Sequence, residues 1–302
     1  MKTKIVLGIS FILLVACISE PKVKVNLSKT DDSMATDSLA VSPYKIGVAA
    51  MLSPEEALPA YEEIVKYVGA KLDTDIEMLF TKDYAAMNKL TREKKVIAAF
   101  VCSGPYVQGH DSWGMQLIVA PSLHGHTSYY SYIIVNKNSR YNNLEDLKGK
   151  KFAFTDPKSN TGKLVPTYEL LRSGKNPETF FSECIFTGSH DKSIEAVANN
   201  LVDGAAVDNL IWEYKNNIDP ATTSKTRVIA KFGPFCSPPI VTYPECDERL
   251  KNNIKHTLLG MHKDPIGKEI LKKILIDSFV VVNDDCYKSV RKMQNWIDKQ
   301  AK

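Results

Sequence analysis

Phe152-Ala153-Phe154-Thr155-Asp156-Pro157-Lys158-Ser159-Asn160-Thr161-Gly162-Lys163-Leu164-Val165-Pro166 runs from a short apolar strand, through a polar turn, into a helix. The turn supplies hydroxyl donors on Ser159 and Thr161, and Gly162 lets backbone approach a ligand closely. A helix start leaves several N–H groups unpaired and carries a partial positive charge. Together these parts make a cradle for an anion. The same residues also serve as an ordinary helix cap, which needs no ligand.

Outward from this turn, strands and helices alternate. Strands are predicted at Lys45–Ala50, Val96–Val101, Gln116–Ala120, Tyr129–Val135, Phe152–Phe154, Ala205–Val207 and Arg227–Ala230. Between them apolar residues recur at helical spacing. Ala57, Tyr61, Ile64, Val65 and Val68 form one stripe, which Gly69 is expected to end. Ile194, Val197, Ala198 and Leu201 form another. Leu250, Ile254 and Leu258 make a third, Ile266, Ile270 and Ile274 a fourth, and Val290, Met293 and Ile297 a last one. Such alternation predicts an α/β fold with largely parallel sheets. Ligands of such sheets bind beyond the carboxyl ends of strands, so the loops after Val101, Phe154 and Val207 are the places to search.

Those loops hold further candidates. His190, in Thr187-Gly188-Ser189-His190-Asp191, precedes an amphipathic helix and offers a hydrogen-bond donor to an anion. A histidine there is as readily structural. Asp208 ends the strand Ala205-Ala206-Val207 and either caps the next helix or faces the ligand. A carboxylate facing an anion only accepts hydrogen bonds, so it favours a ligand bearing P–OH or an amine and repels sulfate. Tyr84, at the start of a predicted helix, and Tyr106, just past the strand Val96–Val101, each present a phenol for packing or for ligand contact. A hydrolase built on Ser159, His190 and Asp208 lacks a Gly-x-Ser-x-Gly elbow, and no enzyme is expected. His124-Gly125-His126, with His110, is only half a zinc site, and neither metal nor cofactor is expected.

The amino terminus reads as a leader. Lys2 and Lys4 precede the apolar run Ile5–Val15, which ends in Leu14-Val15-Ala16-Cys17. The run is short for a membrane span. Residues 1–16 are expected to be a lipoprotein signal peptide, Cys17 the lipidated residue, and 17–42 a polar tether. The mature chain would then be lipid-anchored to a membrane of the cell envelope, facing the periplasm or the cell exterior. Losing Lys2 and Lys4 brings the net charge from +4 to +2, too little to suggest nucleic acid. Export implies an oxidising compartment, where Cys102, Cys184, Cys236, Cys246 and Cys286 are an odd set. Cys236 and Cys246 flank a Pro-rich stretch and are close enough in sequence to bridge. Cys102, at the end of an apolar run, reads as a buried free thiol.

The ordered series Asp156-Pro157-Lys158-Ser159-Asn160-Thr161-Gly162-Lys163-Leu164-Val165-Pro166, Gly174-Lys175-Asn176-Pro177, Thr187-Gly188-Ser189-His190-Asp191 and Asp203-Gly204-Ala205-Ala206-Val207-Asp208 resembles the phosphate/phosphite/phosphonate-binding components of ABC transporters. The resemblance spans about Tyr44 to Met293. It implies the two-lobed periplasmic binding protein type II fold, with lobe 1 from 43–132 plus 234–302, lobe 2 from 133–233, and the ligand in the cleft. It implies that Ser159, Asn160 and Thr161 hold phosphoryl oxygens, His190 donates a further bond, Asp208 senses a protonated oxygen or the substituent, and Tyr84 and Tyr106 close the site. The implied partners are a small phosphorus oxyanion and an ABC transporter permease. A lobe pair presenting its closed state to a membrane sensor kinase is the alternative. Asn160 departs from the family, which often has Thr there.

Overall fold

A computed structural model describes residues 44–300. The expected signal peptide, Cys17 and the tether lie outside the described residues. Eleven strands are described: β1 (Tyr44–Ala49), β2 (Ile76–Thr81), β3 (Ala98–Phe100), β4 (Gln116–Ser122), β5 (Ser128–Asn136), β6 (Lys151–Phe154), β7 (Glu183–Phe186), β8 (Gly204–Asp208), β9 (Thr226–Cys236), β10 (Ile240–Thr242) and β11 (Ser278–Val280). They form two sheets, ordered β11-β4-β10-β3-β1-β2 and β7-β6-β8-β5-β9. All strands of the second sheet fall between Ser128 and Cys236, and the first sheet draws on chain before and after. The chain passes between sheets at residues 122–128 and 236–240.

The sheets are mixed rather than largely parallel. β1 pairs parallel with β2 and β3, and β6 with β7 and β8. β10, β11, β5 and β9 all join antiparallel. The apolar strand runs reflect burial on both faces, which a central antiparallel strand shares with a parallel one. β5 illustrates this: Ile133, Ile134 and Val135 are all fully buried.

Helices cover the sheets by their apolar stripes. In Pro54–Lys71, Ile64, Val65 and Val68 are buried against the first sheet's core. Gly69 does not end this helix. A Cβ at Gly69 would lie 2.7 Å from the Thr74 carbonyl oxygen, so glycine there lets the chain turn back closely into β2. In Pro265–Lys273 the stripe holds at Ile270, but Ile266 is 69% exposed.

The disulfide joins Cys236 to Cys286, so proximity in sequence misleads for Cys236 and Cys246. It ties the end of β9 to the turn before the helix Lys288–Gln300. Cys246 is buried and free, as is Cys102, while the free Cys184 is exposed.

Candidate functional site

The polar turn is wound tightly. Asn160–Leu164 forms one π-helical turn that leads directly into the α-helix Val165–Arg172. Such turns concentrate at functional sites. Ser159 caps it: its Oγ accepts the Gly162 N–H at 3.0 Å. The capping and anion-holding uses of Ser159 therefore coexist only if its own hydroxyl hydrogen faces the ligand. Gly162 is required, because a Cβ there would overlap Thr155 Oγ1 and lie 2.6 Å from Thr155 Cβ.

Thr155 joins the turn to His190. Its Oγ1 lies 3.0 Å from His190 Nδ1 and donates to the Ala206 carbonyl at 3.2 Å. The Asp208 N–H donates to Nδ1 at 3.1 Å. Nδ1 is thus the acceptor nitrogen, and the hydrogen of the neutral ring sits on Nε2. Nε2 is buried and has no partner. Burial drives the His190 pKa down to about 3, with Asp191 opposing. A neutral N–H donor therefore faces the interior without a bond.

Other buried polar atoms share this condition. Tyr84 Oη, Asn160 Oδ1, Thr161 Oγ1 and Ser189 Oγ have no hydrogen-bond partner. Ser159 lies on the Tyr84 side and favours the phenol's ionisation slightly, but no well-formed hydrogen bond joins them. Burial raises the Tyr84 pKa well above its ordinary value, which keeps the phenol a donor. Orphaned buried polar groups are costly, and several close in sequence and fold point to a missing partner.

Hydrogen bonds between the lobes surround the cluster. Asp156 reaches the helix Tyr84–Arg92 and accepts the Tyr84 N–H at 3.2 Å. The His190 backbone N–H donates to the Met51 carbonyl at 3.1 Å. Asp191 accepts the Ser53 N–H at 2.9 Å. Two of these bonds seat carboxylates from the second lobe on backbone N–H groups of the first, a charge-assisted arrangement.

Asp208 ends β8 and is buried. Its Oδ1 accepts the Leu210 N–H at 2.8 Å, so it does cap the helix Asn209–Ile218. Burial pushes its pKa up to about 7, against the Leu210 and Ile211 N–H groups. Beyond it lies an apolar cavity of about 60 Å³ between the lobes, walled by Leu52, Tyr61, Phe100, Ile211 and Tyr214.

Tyr106 does not join the cluster. Its hydroxyl donates to Asp284 at 2.8 Å, and its ring packs on Tyr287. Position after a strand end brought it near the cleft, but the first lobe takes its polar end. Sequence reasoning missed Tyr129 and Ser103. Tyr129 accepts from Asn160 Nδ2 at 2.9 Å and donates to Ser103 Oγ at 3.1 Å. Tyr129 sits within an apolar-looking strand, where only its hydroxyl marks it. Among the described residues no group of three or more His, Cys, Asp or Glu side chains is placed to share a metal ion, and no helix is long and apolar enough to cross a membrane.

Two α/β lobes with a polar pocket between them have the architecture of type II periplasmic binding proteins. Residues 46–287 match the family model described as ABC transporter, phosphonate, periplasmic substrate-binding protein, and the chain belongs to that family. It is 27% identical to the phosphonates-binding periplasmic protein of Escherichia coli K12 over 233 residues, 76% of this chain and 69% of that protein. It is 25% identical to the probable phosphite-binding ABC transporter protein PhnD1 of Prochlorococcus marinus MIT 9301 over 188 residues, 57% of this chain and 62% of that one. The structure of that PhnD1 in complex with methylphosphonate superposes with a TM-score of 0.77, at 21% identity, over 85% of this chain and 98% of that one.

Proposed function

We propose that this protein captures a small phosphorus oxyanion, namely phosphate, phosphite or a small phosphonate, between its lobes and delivers it to an ABC transporter permease. One observation carries the reading. His190 Nε2, Thr161 Oγ1 and Tyr84 Oη are buried donors without partners, grouped about the Ser159–Gly162 turn and the lobe boundary. A tetrahedral anion with three or four acceptor oxygens satisfies them together. Each such charge-assisted bond contributes about 1.5–3 kcal/mol, which offsets desolvation of the anion without a cationic side chain. Relatives named for phosphonates and for phosphite support the element. The small apolar cavity beside Asp208 supports a compact substituent on phosphorus rather than a bulky one.

Capture couples to transport through the lobes. A ligand closes them only by binding the closed form better than the open one, and the closed form is what a permease recognises. The Ala16-Cys17 junction after an apolar run supports a lipid anchor on Cys17, which would hold the protein beside the permease.

Thermal shift with phosphate, phosphite, methylphosphonate and sulfate tests the reading. A rise in melting temperature with at least one phosphorus anion and none with sulfate is expected. No shift with any phosphorus anion removes the proposal. For the anchor, Cys17→Ala should release the protein from the membrane fraction.

A further inference from the structure

The hydrogen bonds behind Asn160 have only one consistent direction. The backbone carbonyl of Cys236 can only accept, and it takes the hydrogen of Ser103 Oγ at 2.9 Å. Ser103 Oγ is then the acceptor for the Tyr129 hydroxyl at 3.1 Å. Having given its hydrogen away, the Tyr129 oxygen can only accept from Asn160, through Nδ2 at 2.9 Å. The neighbouring Cys102 sulfur, 3.9 Å from the Tyr129 oxygen, is too weak a partner to reverse this order. Burial raises the Tyr129 pKa well above normal, so the phenol keeps its proton.

The amide of Asn160 is therefore held with its nitrogen on Tyr129 and its oxygen free. Asn160 is fully buried, and Oδ1 has no partner. It belongs to the turn that cradles the anion, flanked by Ser159 and Thr161. A serine or threonine hydroxyl in its place would turn to donate or to accept. Asn160 Oδ1 cannot switch in this way: it only accepts, and it is a fixed acceptor placed among donors.

We propose that Asn160 makes the site selective for an oxyanion that carries one P–OH, because Tyr129 and Ser103 hold its amide oxygen toward the ligand. This rests on the capture reading above. A ligand oxygen bearing hydrogen completes the pocket. An oxygen without one meets Oδ1 lone pair to lone pair, and both groups stay unpaired in a dry site. Asn160 is the specificity-determining residue, with Tyr129 and Ser103 as positioning residues. The buried carboxylates nearby already hold backbone donors: Asp156 takes the N–H groups of Lys158 and Tyr84, and Asp208 takes that of Leu210.

The test compares methylphosphonate with methanesulfonate by calorimetry, below the second ionisation of methylphosphonate. Both probes then carry one negative charge and similar bulk, and differ by one O–H. The native protein should prefer methylphosphonate by about tenfold or more. Ser103→Ala removes the acceptor for Tyr129, whose hydroxyl can then donate to Asn160 Oδ1 and free the amide to turn its N–H₂ to the ligand. Tyr129→Phe removes the lock directly. In both variants methanesulfonate should gain at least about fivefold on methylphosphonate. A merely structural role would weaken both probes alike and leave the ratio fixed. If Tyr129→Phe fails to fold, Ser103→Ala decides. Binding of methylphosphonate with an unchanged ratio in the folded variants overturns this inference alone. No binding of either probe by the native protein overturns it, and if phosphate and phosphite also fail to bind, the capture reading falls with it.

Discussion

Gly104, at the start of the first lobe's helix Ser103–Trp113, lies against the Lys158 carbonyl of the second lobe so closely that a Cβ would sit 2.5 Å from that oxygen. Real Cβ atoms do not approach backbone oxygen so closely. The absence of a side chain at Gly104 is thus a condition of lobe contact, not of either lobe's own fold.

Gly104→Ala should therefore act as a wedge. Within its own lobe the methyl is compatible with a helix and even raises helix propensity. The ligand-free melting temperature should change little. Affinity for the phosphorus anion should fall about tenfold or more, because the closed form is what binding must stabilise. Calorimetry gives the affinity, and small-angle scattering should show less compaction on adding ligand. Unchanged affinity would mean that the lobes need not meet at Gly104 when ligand is held.

His190 is the donor whose loss should be costliest. His190→Ala removes the Nε2 donor and leaves Thr155 Oγ1 and the Asp208 N–H facing a void. Affinity should drop about tenfold to a hundredfold. The ring also titrates against folding. Its folded pKa, about 3, lies below the ordinary 6.5, so the unfolded chain takes up its proton first. The stability that neutral His190 permits is present above pH 6.5 and is lost as pH falls toward 3. His190→Gln should flatten that acid loss in a melting series between pH 7 and 4.

Asp208 runs the other way. Burial raises its folded pKa from 3.8 to about 7. The folded protein then holds a proton that the unfolded chain has released, so this contribution is present below pH 3.8 and is lost as pH rises through 7. Asp208→Asn keeps a capping oxygen for Leu210 N–H but has no charge to bury. Relative to the native protein it should gain stability steadily from pH 4 to 8, on the order of 2–4 kcal/mol at the upper end. A difference constant with pH would show that Asp208 titrates near its ordinary value.

The sequence carried the fold class and the turn, and the reasons are local. Phe152–Phe154 is fenced by Lys151 and by the Asp156-Pro157 turn, so strand and cradle were readable from fifteen residues. What was not readable was anything fixed by partners distant in sequence. β10 and β11 are three residues each, too short for a period to show. The bond from Cys236 spans a sequence separation of 50 to Cys286, while Cys246, much closer in sequence, is a buried free thiol. Tyr129 looked like any aromatic in a strand. Its use is set by Ser103 and Asn160, which come from other elements. Gly69 looked like a stop because helical glycine usually weakens a helix, and only the approach of Thr74 explains its place.

Tyr106 gives the sharpest contrast between position in sequence and position in space. Its location after a strand end suits a cleft, yet its hydroxyl donates to Asp284, which Arg291 also holds at 2.8 Å. Arg291 in turn grips Asp111 through Nε and Nη2. The network ties the helix Ser103–Trp113 to the helix Lys288–Gln300. Tyr106→Phe should therefore cost stability and not affinity. Losing one hydrogen bond to a carboxylate that keeps Arg291 is worth about 0.5–1.5 kcal/mol. The melting temperature should fall by a few degrees, and the dissociation constant for the phosphorus anion should stay within about twofold. A tenfold loss of affinity with an unchanged melting temperature would place the phenol on the ligand instead, and Asp284 would then be its partner only when the site is empty.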